Sequence, residues 1–117
     1  MLFRSPALIA MTTGANLLAP ASVPWEIGNA FSAMLNRKRT TIGQVQQAIK
    51  AYQQISIRFV DVGLSEALLL ADQLLIYAYD AYVLHCALQA RCPLLTLDQG
   101  LMDAAQRAGV KVLKVTP

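Results

Sequence analysis

An α/β fold with a parallel sheet is predicted for this 117-residue chain, and three observations point to it. Short apolar or β-branched runs at 17–19, 57–62, 94–97 and 110–115 alternate with longer segments patterned as helices. Ser, Thr, Pro and Gly stand at the ends of those segments, where helix caps and stops belong. The hydrophobic share is 56% against 15% charged, which supplies apolar material for a well-buried sheet or an apolar partner surface. At this length the chain reads as one domain over 1–117.

Ser5 and Pro6 open a first helix as cap and first-turn proline, and Gly14 closes it. The run 17–19 ends at Pro20 and reads as a buried strand. Ser22 caps a second helix that tolerates Pro24 in its first turn. Ile27, Phe31, Met34 and Leu35 form its apolar stripe, and Arg37, Lys38 and Arg39 place cations at its negative end. Thr41 starts a third helix with Ile42, Val45, Ile49 and Tyr52 on one face. The β-branched run 57–62 is a strand. Ser65 caps a helix reaching about residue 76, and 79–90 form another with Asp80 in its first turn. A short strand at 94–97, a helix at 100–108 stopped by Gly109, and a strand at 110–115 complete the order.

Composition excludes several classes. Glu66, Asp72 and Asp80 interrupt the Leu-rich region 62–84, so no membrane span is expected. The apolar run near the N-terminus is short and lacks a signal-peptide cleavage site. Cys86 and Cys92 are six residues apart, which matches no common zinc pattern; their apolar neighbours suit reduced thiols in a cytoplasmic protein. His85 has no partner at ligand spacing. Neither a nucleophile elbow nor a Gly-rich phosphate loop is present. The net charge of +3 leaves a basic remainder once any acids are neutralised, compatible with a phosphate-bearing partner.

Of seven carboxylates, Glu26, Asp80 and Asp98 stand in apolar or small-residue surroundings, within PASVPWEIGNAF, IYAYDAYVL and CPLLTLDQGL. Burying an ionised carboxylate costs several kcal/mol unless a cation or good donors compensate it. Glu26 follows the first strand, Asp98 follows the strand at 94–97, and Asp80 begins a helix; sites in parallel sheets form beyond the carboxyl ends of strands. If the three converge, a divalent metal ion is the simplest compensation. Each acid also has a structural reading: Glu26 and Asp80 as first-turn acids, Asp98 as a helix cap. Asp103, one turn beyond Asp98, could approach the same site or face solvent. Arg37, Lys38 and Arg39 could contact a nucleic-acid backbone or end a solvated helix.

Taken together, LLAPASVPWEIGNAFSAMLNRKR, YAYDAYVLHCALQARCPLLTLDQGL and the closing GVKVL resemble a PIN domain of the VapC type, the toxin ribonucleases of toxin–antitoxin pairs. The resemblance runs from about residue 6 to the C-terminus, and the Y-D-A-Y segment at Tyr79–Tyr82 is its most specific part. It implies a three-layer α/β/α sandwich and Mg²⁺- or Mn²⁺-dependent hydrolysis of RNA. It also implies a homodimer and inhibition by a cognate antitoxin. By motif, Glu26, Asp80 and Asp98 are carried over as the metal-binding catalytic carboxylates, with Thr96 as a supporting hydroxyl; Asp103 is a supporting candidate by its position alone. The metal would activate water and neutralise charge on the phosphate.

The family's opening strand and its terminal Asp have no counterpart here, so the chain is expected to be N-terminally truncated, with that Asp upstream of Met1. A truncated chain would be weak or inactive as a nuclease. The competing function is a non-catalytic remnant that binds an antitoxin or dimerises. A phosphoacceptor domain is disfavoured, because the run at 94–97 leads into Asp98 without the Lys such a site needs.

Overall fold

The computed structural model describes residues 16–113, and in them four short strands alternate with five helices, so the α/β class holds. The helix expected between Ser5 and Gly14, and the end of the last strand beyond 113, lie outside these residues. Strand β1 (Leu17–Pro20) leads into helix α1 (Val23–Asn36), then α2 (Ile42–Gln53) and β2 (Ile57–Val60). Helices α3 (Leu64–Leu74) and α4 (Ala78–Ala90) follow, then β3 (Leu94–Leu95), α5 (Gln99–Ala108) and β4 (Val112–Leu113).

A single parallel sheet was the expectation; the structure instead has two parallel pairs, β1 with β2 and β3 with β4. Leu17 stands opposite Ile57 and Pro20 opposite Val60; Leu94 stands opposite Val112. Both pairs are closed by helical crossovers, as parallel strands require. Local chemistry explains why they do not join. The Ala21 N–H donates to the Val60 carbonyl, so backbone groups alternating from Ala21 face β2 and those of Leu18 and Pro20 face the open edge. Pro20 has no N–H to offer there. On the other side β3 is only two residues long, because the Thr96 side chain accepts the Asp98 N–H at 3.1 Å and turns the chain out of extended pairing.

Helix boundaries follow their caps. Thr41 and Gln44 form a full capping box on α2, the arrangement in which two orphan helix donors are satisfied reciprocally. The cap expected at Ser65 falls instead on Gly63. The Glu66 carboxylate folds back over Gly63 into the space a Cβ would occupy, so the first turn starts there and Ser65 lies inside it. Helices α3, α4 and α5 all end in the left-handed region, at Leu75, Arg91 and Gly109. Each is followed by a capping bond of one kind, from an N–H to the carbonyl five residues before it: Ile76 to Ala71, Cys92 to Ala87 and Val110 to Ala105.

The main core gathers Leu74, Leu84, Ala87, Leu94, Leu101, Ala104, Ala105 and Val110. All of these belong to the segment from α3 onward. Arg107 of α5 donates to the Leu74 carbonyl at 3.0 Å, which fastens two of those helices together. In the first half Phe31 and Val45 are buried separately, and β1 is held to the second half by α4, whose Ala81 is fully buried. Among the described residues no single helix is long and apolar enough to cross a membrane; α3 and α4 would together suffice by length and composition but are bent by 109°.

Candidate carboxylate site

Glu26 enters the site from the first turn of α1, just past the end of β1. Ser22 was expected to cap this helix, but its side chain makes no capping bond. The hydroxyl donates instead to Glu26 Oε2 at 3.4 Å. Glu26 is half-buried, and its carboxyl pKa is raised, first by burial and in lesser part by the nearby charge of Asp80; the Ser22 hydrogen bond opposes the rise. Asp80 lies in the first turn of α4, also half-buried. Its pKa is raised by burial and then by the charge of Asp98. The three predicted acids therefore form an electrostatic chain, Glu26 to Asp80 to Asp98, running across the carboxyl ends of both strand pairs.

Asp98 is the exposed end of that chain and is already engaged. Its Oδ1 accepts the Gly100 N–H at 2.8 Å and the Leu101 N–H at 3.3 Å, so it caps α5. Thr96 is 1% exposed, and its hydroxyl oxygen receives the Asp98 N–H. That bond sets the backbone from which the Asp98 carboxylate projects. Asp103 turns to its own helix and accepts from Gln99 Nε2 at 2.9 Å, exposed to solvent.

The donors are of a suitable kind, since hard divalent cations prefer carboxylate oxygens. Their positions fall short: among the described residues no group of three or more His, Cys, Asp or Glu side chains is gathered closely enough to hold a metal ion. Burial first, and the neighbouring like charge second, make the half-buried Glu26 and Asp80 hold their protons more tightly.

One residue read from the sequence only as a strand end, Asp61, is brought beside Ser22. It lines a concavity of about 310 Å³ with Ser22, Pro20 and Tyr82, the last residue of the Y-D-A-Y segment and two positions past Asp80 on α4. The place of Asp61 follows from topology, since β1 and β2 end side by side. Only the strand pairing could have revealed it. The basic residues Arg37, Lys38 and Arg39 are all exposed beyond α1. Of the three, Arg39 borders an open depression of about 500 Å³ with Thr40, Gln44 and Gln47.

Comparison with protein-family models, with curated proteins and with solved structures finds no match to the chain in any of the three.

Proposed function

We propose that the chain carries the partial carboxylate site of a metal-dependent endoribonuclease of the toxin–antitoxin type, with a PIN-like three-layer sandwich as its scaffold. What supports this reading is the placement of Glu26 just past β1, Asp80 in the first turn of α4 and Asp98 just past β3, with Glu26 close enough to feel the charge of Asp80 and Asp80 that of Asp98. The chain alone is weak or inactive, because these acids do not form a closed ligand set. In this reading the substrate is RNA, met by Arg37, Lys38 and Arg39; the ion is Mg²⁺ or Mn²⁺; and the setting is cytoplasmic. Partners are a cognate antitoxin and a second copy of the chain.

The test is thermal unfolding with and without millimolar Mn²⁺. An ion that binds only the folded chain stabilises it by RT ln(1 + [L]/Kd), which is about 2.7 kcal/mol at a hundredfold excess over Kd. The expected result is a rise in melting temperature that Asp80→Asn removes. An unchanged melting temperature in the wild type would set the catalytic reading aside.

A second reading, an interaction module without catalysis, is supported by exposed apolar side chains. Trp25, Leu75 and Tyr77 are 76%, 87% and 88% exposed, and Leu64, Leu68 and Leu69 of α3 are exposed as well; apolar side chains exposed together, rather than singly, are what an association surface presents. Here self-association measured by sedimentation would persist in a variant carrying Glu26→Gln, Asp80→Asn and Asp98→Asn. Loss of association in that variant, with the fold intact by circular dichroism, would count against it.

A further inference from the structure

Helices α3, α4 and α5 end alike, and in the middle one the residue pair made equivalent by that likeness is a pair of thiols. In each cap a left-handed residue is followed by one whose N–H reaches back to the last full turn: Ile76 to Ala71, Cys92 to Ala87, Val110 to Ala105. This geometry commonly lays the side chain after the left-handed residue against those three and four positions before the cap. The outer two caps do so visibly. Val110 joins the core beside Ala104 and Ala105, and Ile76 packs against that core along with Leu70. In α4 the Cys92 N–H reaches the carbonyl of Ala87, the neighbour of Cys86, at 3.0 Å, which returns the Cys92 backbone to the turn that carries Cys86. The Cys92 thiol donates to the Ala90 carbonyl at 3.4 Å, and closing a disulfide turns it away from that oxygen. Cys86 is 5% exposed and Cys92 is half-buried, and both are free thiols.

We propose that Cys86 and Cys92 form a redox-active thiol pair that closes to an intramolecular disulfide on oxidation by hydrogen peroxide, tying the end of α4 to the entry of β3. The electrostatic influence of Cys92 on the Cys86 thiol agrees with their proximity. Cys92 is the more accessible and reacts first. Its thiolate attacks the peroxide, the O–O bond breaks, Cys92 becomes a sulfenic acid, and the departing hydroxide takes up a proton as water. The Cys86 thiolate then attacks the Cys92 sulfur, the S–S bond forms and the S–O bond breaks, releasing a second water. Two thiols lose two electrons in total and the peroxide gains them. Burial raises the Cys86 pKa, so the second step quickens as pH rises. The closed clamp would join the element bearing Asp80 to the strand that leads to Asp98, without involving either acid.

The test exploits Arg91, which lies between the two cysteines. Trypsin cleaving there separates 59–91 from 92–107, so the two peptides stay joined only through a disulfide. The full chain is treated with hydrogen peroxide, its monomer is isolated without reductant, and it is digested and weighed by mass spectrometry. Free thiols are expected to fall from two per chain to none, with 59–91 linked to 92–107. In Cys86→Ala, Cys92 should persist as a sulfenic acid that dimedone traps. If the wild-type monomer yields unlinked peptides and a dimedone adduct on Cys92, the pair does not close and the proposal fails. The wild-type digest decides by itself should Cys86→Ala not fold.

Discussion

Glu26 and Asp80 are each partly withdrawn from water and each placed near another carboxylate, so folding makes both harder to ionise. A carboxyl whose pKa is raised by folding binds its proton more tightly in the folded chain than in the unfolded one. Stability from these two groups is therefore lost as pH climbs from the ordinary carboxylate range through their raised values, and regained as pH falls back. The expected outcome is a melting temperature at neutral pH that is higher in Asp80→Asn than in the wild type, with the gap closing as the pH is lowered. A gap that widens on acidification would contradict the assigned cause. Thr96 acts differently, through structure. Thr96→Val keeps the volume but removes the acceptor for the Asp98 N–H, and a lost hydrogen bond of this kind costs about 0.5–1.5 kcal/mol. Urea unfolding of that variant measures it.

At the scale of elements, caps decide where the helices begin and end, and they mark how far the sequence could be read. Thr41 with Gln44 three residues on was legible as a helix start, because a capping box is a local pattern. Thr41→Ala should cost about 1 kcal/mol in unfolding free energy. Leu75 was not legible as a stop. It takes a left-handed conformation, φ 56° and ψ 48°, with its side chain 87% exposed. Nothing local favours that for leucine; the neighbouring Ile76 packing on the core imposes it. Leu75→Gly removes the backbone penalty and forfeits little burial, so it should raise the melting temperature, by the equivalent of about 1 kcal/mol. The acids divide along the same line. Glu26, Asp80 and Asp98 could be singled out from apolar flanks alone. The capping role of Asp98 was legible too, as a local pattern, and the Ser22 bond to Glu26 is a contact within one helical turn. The nearness of Asp61 to Ser22 depends on which strands lie side by side, and periodicity does not encode that.

Across the whole molecule the two strand pairs belong to unequal halves. Every member of the main core lies between Leu74 and Val110, whereas among the described residues β1, α1, α2 and β2 contribute the buried Pro20, Phe31 and Val45, none of which belongs to that core. Two-stranded pairs have little independent stability, so β1 and β2 depend on α4, with Ala81 buried at the junction. Local opening free energies track buried apolar contact, which gives the halves different expected behaviour. Amide hydrogen exchange should be faster, and its opening free energy lower, in Leu17–Pro20 and Ile57–Val60 than in Ala78–Ala90 and Gln99–Ala108. A bound partner or metal that draws Glu26 toward Asp80 should slow exchange chiefly in the first half. Leu84→Ala, in the centre of the second, should cost about 2–5 kcal/mol and speed exchange in both, because the first half is held through the helix that Leu84 anchors. Uniform protection along the chain in the wild type would mean that the halves share one cooperative core, and the dependence of the carboxylate site on α4 would then lose its physical basis.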